Sequence, residues 1–125
     1  MKLEAVTANN IEVTPEIDEY LRARVDKLSK LVTKMPSASL QAEIGQPKSP
    51  YRKGAEIFYA EFKVSLPGNE FTTHKEASNI YKAIESARNE THRRIVTWKK
   101  RQRTEQRKNG AIRKQFLRSG EGSEY

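Results

Sequence analysis

Apolar residues recur along the chain with two different periods, one typical of a β-strand and one typical of an α-helix. Residues 2–7 alternate weakly, as a short strand does. Over residues 17–35, apolar side chains recur about every 3.6 residues, which predicts an amphipathic helix of about five to six turns. Thr14 suits the cap of this helix, Pro15 suits its first position, and Pro36 follows its end. These three residues predict both helix boundaries.

Three β-prone segments follow the first helix. Residues 38–44 and, more strictly, residues 58–66 alternate apolar with polar side chains, which predicts strands buried on one face. Residues 67–69 read Pro-Gly-Asn, a sequence typical of turns, so residues 58–66 and 71–75 are predicted to form a hairpin. Residues 45–54 fit neither period and contain several basic side chains. They are predicted to be a mobile basic loop.

A second helix is predicted from about Ala77. Its apolar residues fall within an arc of about 80° when each residue turns the helix by about 100°; they are Ile80, Ile84, Ala87, Thr91, Ile95 and Trp98. The predicted order is β-α-β-β-β-α, an α+β fold in which one four-stranded sheet has two helices packed on one face. Residues 1–103 are predicted to be this domain, and residues 104–125 a basic, flexible C-terminal tail.

Length and composition narrow the class of protein. A chain of 125 residues forms one domain that buries roughly 65% of its unfolded surface. The absence of cysteine excludes disulfides and thiolate chemistry. No apolar run approaches the roughly 20 residues of a membrane helix, and the first residues lack the apolar core of a signal peptide. A cytoplasmic protein without a membrane segment is expected.

The net charge of +8 is concentrated in one part of the chain. Residues 1–87 hold twelve basic and twelve acidic side chains, whereas residues 88–118 hold twelve basic and two acidic ones, and residues 119–125 add two acids. A neutral body with a basic arm is typical of proteins that bind a polyphosphate backbone. A solubilising tail and an anionic membrane surface are the alternatives.

The basic residues of the second helix form a predicted stripe. Lys82, Arg93, Lys100 and Arg107 fall within about 40° of one another, nearly opposite the apolar arc. We call these four residues the basic stripe. At about 1.5 Å per residue it can follow a run of phosphates. It is flanked by Arg88, Arg94, Lys99, Arg101 and Arg103. A merely solvated face would mix both signs of charge, and this one has almost no acids.

Other candidate RNA contacts lie elsewhere in the chain. On the first helix, Lys27, Lys30 and Lys34 fall within about 60° of one another, although they also fit scattered solvent-exposed lysines. Tyr51, in the basic loop, is a candidate for base stacking. The other aromatic residues near the second helix, Tyr81 and Trp98, are predicted to be structural.

Catalytic chemistry finds little support in the sequence. The two histidines, His74 and His92, lie on different elements without metal-ligand spacing. No phosphate-binding glycine loop and no nucleophile elbow is present. We therefore expect no catalytic residue, no metal, no cofactor, no small-molecule substrate and no enzymatic activity.

Three stretches resemble a known family. Residues 10–17 look like its strand-to-helix entry, residues 64–69 like its hairpin, and residues 79–85, continuing to Arg93, like its second-helix signature. The family is that of the bacterial ribosome hibernation-promoting and ribosome-associated inhibitor proteins, also called ribosomal subunit interface proteins, in its short type. The likeness spans about residues 2–101 and depends on the order and spacing of all three stretches.

The resemblance implies both a fold and a function. The fold is similar to that of double-stranded-RNA-binding domains, and the protein is expected to dock between head and body of the small ribosomal subunit. There it would occupy the messenger and transfer RNA sites, inhibiting translation and preserving ribosomes during stress or stationary phase. The implied partners are 16S-type ribosomal RNA and neighbouring ribosomal proteins, with a monomer off the ribosome. The implied contacts are Arg24, Lys27, Lys30 and Arg93 with its basic neighbours.

The sequence departs from the family pattern in several places. Asn79 stands where Asp is usual, Glu90 where Lys is common, and Arg88 where an apolar residue is usual. The tail is neither acidic nor long enough for a dimerising domain, so the sequence predicts neither promotion nor prevention of ribosome pairing. The alternatives are a general double-stranded-RNA-binding module and a structural ribosomal protein.

Overall fold

The structure, a computed structural model, describes residues 1–47 and 57–119, with side chains described as far as residue 105. Within these residues, four strands and two α-helices follow one another in the order β-α-β-β-β-α, as predicted. The elements are β1 (Lys2–Asn9), α1 (Pro15–Ser29), β2 (Ser39–Gly45), β3 (Phe58–Leu66), β4 (Asn69–Ala77) and α2 (Ile80–Ser119), with a 3-10 turn at Lys30–Val32 after α1.

The strands form one mixed sheet in the order β1-β2-β3-β4. β1 runs parallel to β2, as the crossover through α1 allows, and β2, β3 and β4 are successively antiparallel. β1 ends very close to β2, where a Cβ atom at Gly45 would lie 2.1 Å from the backbone oxygen of Asn9. Asn10 then turns the chain with a positive φ of 61°, which asparagine tolerates better than most residues.

The two faces of the sheet differ in polarity because the side chains of a strand alternate. The inner face is apolar and buried, and Phe62, which is fully buried, pairs with Ala42 on one side and Thr73 on the other. Burial of a side chain of this kind stabilises the fold by roughly 1.5–3 kcal/mol. The helices contribute further buried side chains, including Leu21, Val25, Leu28, Ile80, Ala83, Ile84 and Ala87. The predicted α+β class is confirmed.

Side-chain caps fix the beginnings of both helices. At α1, the Thr14 Oγ1 accepts a hydrogen bond from the Ile17 amide at 3.2 Å, as predicted. At α2, the Asn79 Oδ1 accepts one from the Lys82 amide at 2.8 Å. The predicted start of the second helix near Ala77 is wrong, because Ala77 still pairs with Phe58 in the sheet. Asn79 therefore caps α2 with an uncharged side chain.

The internal contacts of the chain divide it into two compact units, Met1–Arg93 and Arg94–Tyr125. The first unit contains the sheet, α1 and the first turns of α2. In the second unit the backbone is helical as far as Ser119, well beyond residue 103, where a tail was expected to begin. The segment is rich in residues that favour a helix and contains no proline. The predicted boundary at 103/104 and the flexibility of residues 104–125 stay predictions.

No helix in the described part of the chain is both long enough and apolar enough to cross a membrane.

Candidate nucleic-acid interface

The predicted lysines of the first helix are exposed, but they do not belong to one α-helix. Lys27 lies in α1, Lys30 in the 3-10 turn, and Lys34 in the turn that follows. A 3-10 turn advances about 120° per residue rather than about 100°. The common face predicted from a continuous helix therefore does not extend past Ser29, although all three ammonium groups are open to solvent.

Arg24 is held between the two helices of the first unit. Its Nε donates a hydrogen bond to the Glu85 Oε1 at 3.1 Å, and its guanidinium lies 4.1 Å from the centre of the Tyr20 ring. The Arg88 Nε donates to the same Glu85 oxygen at 3.3 Å. Partly exposed ion pairs of this kind stabilise a protein by only about 0.2–1 kcal/mol. We infer that their main effect is to orient the two guanidinium groups.

In the first unit, α2 presents two members of the basic stripe. Lys82 and Arg93 are both exposed. Arg93 is paired with Glu90 through two bonds, from its Nε at 3.2 Å and from its Nη2 at 2.5 Å. The hydrogen bond and the charge of Glu90 raise the pKa of Arg93 above its ordinary value. Glu90 thus partly neutralises the charge of a predicted RNA contact.

Substitution of Glu90 by Gln is expected to tighten binding to RNA. The change removes a carboxylate that competes with a phosphate for Arg93, and the gain at about 0.15 M salt is expected to be at most roughly 4- to 6-fold in affinity, the value of one full phosphate contact. Titration of labelled protein against RNA measures this change. Glu70→Gln, which removes an exposed charge from β4, is the matched control. An equal gain in both variants would contradict a specific role of Glu90.

The second unit holds most of the remaining predicted contacts. Lys100, Arg101 and Arg103 are exposed, whereas Arg94 and Lys99 are half-buried. The Arg107 side chain lies outside the described residues, as does Tyr51 with the rest of residues 48–56. In the predicted apolar arc of the second helix, Ile95 is buried and Trp98 is half-buried.

The outer face of the sheet carries a polar cluster that sequence reasoning missed. Tyr59 is only 5% exposed; its hydroxyl donates a hydrogen bond to Glu43 and accepts one from the Asn9 side-chain Nδ2 at 3.2 Å. Burial, followed by the Glu43 hydrogen bond, raises the pKa of Tyr59. The Tyr59 ring stacks on His74 with a centroid separation of 5.2 Å. The alternation of apolar and polar residues in β3 predicts that Tyr59 lies on the polar face, but it does not indicate that Tyr59 is buried there.

The charged side chains of this outer face are mainly acidic. His74 lies between two carboxylates: its Nδ1 is 3.1 Å from the Glu61 Oε1, and its Nε2 is 3.6 Å from the Glu76 Oε2. Together with Glu43 these carboxylates make the face unfavourable for a phosphate backbone. An open cleft of about 320 Å³ at one end of the face is also lined mostly by polar side chains, among them Glu4 and Glu70. Among the described residues, no group of three or more His, Cys, Asp or Glu side chains is placed to hold a metal ion.

A mixed four-stranded sheet with helices on its apolar face, and with exposed cations on those helices, defines an α+β domain suited to an anionic partner. Comparison of the chain with known protein families identifies its family. The model of the family described as sigma 54 modulation protein / S30EA ribosomal protein matches residues 5–103, and the chain belongs to that family. The resemblance inferred from the three sequence stretches is thereby confirmed.

Several solved structures share the fold. The N-terminal domain of Protein Y from Thermus thermophilus superposes with a TM-score of 0.64 at 19% identity, over 78% of this chain and 99% of that one. A ribosomal subunit interface protein from Coxiella burnetii superposes with a TM-score of 0.64 at 12% identity, over 79% of this chain and 98% of that one. No curated relative matches the sequence.

Proposed function

We propose that this protein binds the small ribosomal subunit through 16S-type ribosomal RNA and blocks the messenger and transfer RNA sites. It thereby inhibits translation and preserves ribosomes during stress or stationary phase. Membership of the family over residues 5–103 is the observation that carries the proposal. The exposed cations of the helices and the acidic outer face of the sheet support a single RNA-facing side in the first unit.

The proposed interface uses the cations described above. In the first unit these are Arg24, Lys27, Lys30, Lys34, Lys82, Arg88 and Arg93, and in the second unit Arg94, Lys99, Lys100, Arg101 and Arg107. Tyr51 is proposed as a further stacking contact, and neighbouring ribosomal proteins as further partners. The protein acts in the cytoplasm, as a monomer off the ribosome, and by occupying space rather than by chemistry.

Competition with initiation components tests this proposal. Because the binding sites overlap, excess initiator transfer RNA with messenger RNA is expected to displace the labelled protein from small subunits, and the protein is expected to displace them in return. Subunits recovered after dissociation should be fully active with intact ribosomal RNA. A complex that holds the protein, messenger and transfer RNA together at undiminished affinity would contradict occlusion. Cleaved or modified RNA would indicate an enzyme.

A structural ribosomal protein is the second candidate, because the family description includes a ribosomal protein. Sedimentation of cell extracts at two growth stages separates the two candidates. Appearance on small subunits in stationary phase supports a hibernation role, whereas constant stoichiometry supports a structural one. Absence from ribosomes at both stages would instead favour a general double-stranded-RNA-binding module.

A further inference from the structure

Tyr81, in the first turn of α2, is more open to solvent than its sequence position predicted. It borders the apolar arc and was expected to be structural, yet it is 39% exposed and is the one large apolar side chain of the described residues that is exposed. A single exposed aromatic residue needs no special explanation. Whether Tyr81 belongs to a binding site therefore depends on the residues around it.

The neighbours of Tyr81 form an ordered group of rings and guanidinium groups. The rings of Tyr81 and Tyr20 meet edge to face, with centroids 5.1 Å apart and an interplanar angle of 81°. The Arg24 guanidinium covers the Tyr20 ring at 4.1 Å. Contacts of both kinds are individually weak but directional. Tyr81 thus contacts a ring that a guanidinium covers.

Glu85 holds this group in place. Its Oε1 accepts hydrogen bonds from the Nε of Arg24 and from the Nε of Arg88, so one carboxylate oxygen positions two cations. The Arg24 and Arg88 side chains are only 23% and 22% exposed, which restricts their rotamers before any ligand arrives. Among the residues that the structure describes, none is hydrogen-bonded to the terminal nitrogens of Arg24. Those nitrogens remain available for a phosphate.

We propose that Tyr81 and Arg24 form a binding site for one unstacked nucleotide of RNA. The base stacks on the exposed Tyr81 ring, and the terminal nitrogens of Arg24 bind the adjacent phosphate. An exposed aromatic ring, whose neighbouring ring is covered by a fixed guanidinium, matches the two parts of a nucleotide, a flat base and an anion. The bases of a continuous duplex are covered by their neighbours, so the site would select a single strand, a bulge or a loop. This inference rests on the proposed binding of ribosomal RNA and adds base recognition to it.

Short oligonucleotides test the site with the full-length protein. The probes are an octamer of uridine and an octamer of abasic ribose phosphate, which have the same backbone charge. The wild-type protein is expected to prefer the uridine octamer, and Tyr81→Ala is expected to lower that preference by roughly 5- to 150-fold, the range of one base–aromatic stack. Tyr81→Phe keeps the ring and should retain the preference. The salt dependence of binding should stay unchanged in both Tyr81 variants but should flatten in Arg24→Ala.

Three results would contradict the proposed site. The first is that a folded Tyr81→Ala variant keeps the wild-type preference for the uridine octamer, and the second is that the wild-type protein binds both octamers equally or binds neither. The third is that Tyr81→Phe loses as much of the preference as Tyr81→Ala does. A loss of small-subunit binding in Tyr81→Ala without any effect on the octamers would indicate a protein contact instead. Thermal melting verifies the fold, and Tyr81→Leu, which keeps apolar bulk without a ring, replaces the alanine variant if that variant does not fold.

The same preparations distinguish this inference from the proposed function. If the wild-type protein fails to compete with messenger and transfer RNA but its octamer preference depends on Tyr81, the occlusion proposal is wrong and the nucleotide site stands. If competition is observed and the preference does not depend on Tyr81, only the nucleotide site is wrong.

Discussion

Replacement of Lys82, Arg93, Lys100 and Arg107 by alanine is expected to lower the affinity for the small subunit by roughly 10²- to 10³-fold at about 0.15 M salt. Each lost phosphate contact reduces the slope of log affinity against log salt by about 0.7 on single strands and about 0.9 on duplex. The first three residues are exposed, so thermal stability should change little. Binding titrations at several salt concentrations measure both the affinity and the slope.

Two double variants that each remove two positive charges, but from different places, test whether the position of the cations determines the affinity. Lys82→Ala with Arg93→Ala removes two cations from α2, and Lys2→Ala with Lys63→Ala removes two exposed cations from β1 and β3. The α2 pair should weaken binding and flatten the salt dependence, while the strand pair should do neither. Equal effects of the two pairs would mean that only net charge matters. Normal binding by the quadruple variant would show that the basic stripe is merely a solvated face.

A chain that ends at residue 103 is expected to fold as well as the full chain but to bind small subunits about 10- to 10³-fold less tightly. All buried side chains of the described residues lie at or before Ile95, and residues 101–105 are exposed, so the truncation should not reduce the melting temperature. Affinity falls because the removed segment carries Arg107, Lys108, Arg113, Lys114 and Arg118. Calorimetry measures the melting temperature, and titration of small subunits measures the affinity separately.

A second truncation serves as its control. Ending the chain at residue 119 removes Glu121 and Glu124 but no basic residue, so this variant should bind at least as tightly as the full chain. Loss of the cooperative melt in the chain that ends at residue 103 would contradict the proposed domain boundary. Unchanged binding by that chain would show that residues 104–125 do not contribute to the interface.

The parts of the fold that the sequence predicted are those that local pattern determines. The alternation of residues 58–66 identified the buried face of β3 because side chains of a strand point in turn to opposite faces. Thr14 identified the start of α1 because capping involves only the next few residues. The length of α2 was less predictable, because residues 104–119 are polar on most sides and carry no apolar arc to mark a helix.

The candidate site was predicted as a set of cations but not as an arrangement. Nothing in the local sequence indicates that Glu85 contacts Arg24, because these residues are 61 positions apart. The exposure of Tyr81 likewise depends on how α1 and α2 pack. The pairing of Glu90 with Arg93, by contrast, follows from their i, i+3 spacing and is a signal that charge counting alone overlooked.

The acidic outer face of the sheet has a consequence for the kinetics of binding. A phosphate backbone repels the carboxylates of Glu43, Glu61 and Glu76 and attracts the exposed lysines of the helices. The field of the RNA therefore rotates the diffusing protein so that its helices face the RNA before contact. Encounters through the outer face should dissociate quickly, and productive encounters should be enriched over random collision. The association rate constant is therefore expected to fall with ionic strength, as fewer molecules arrive already oriented.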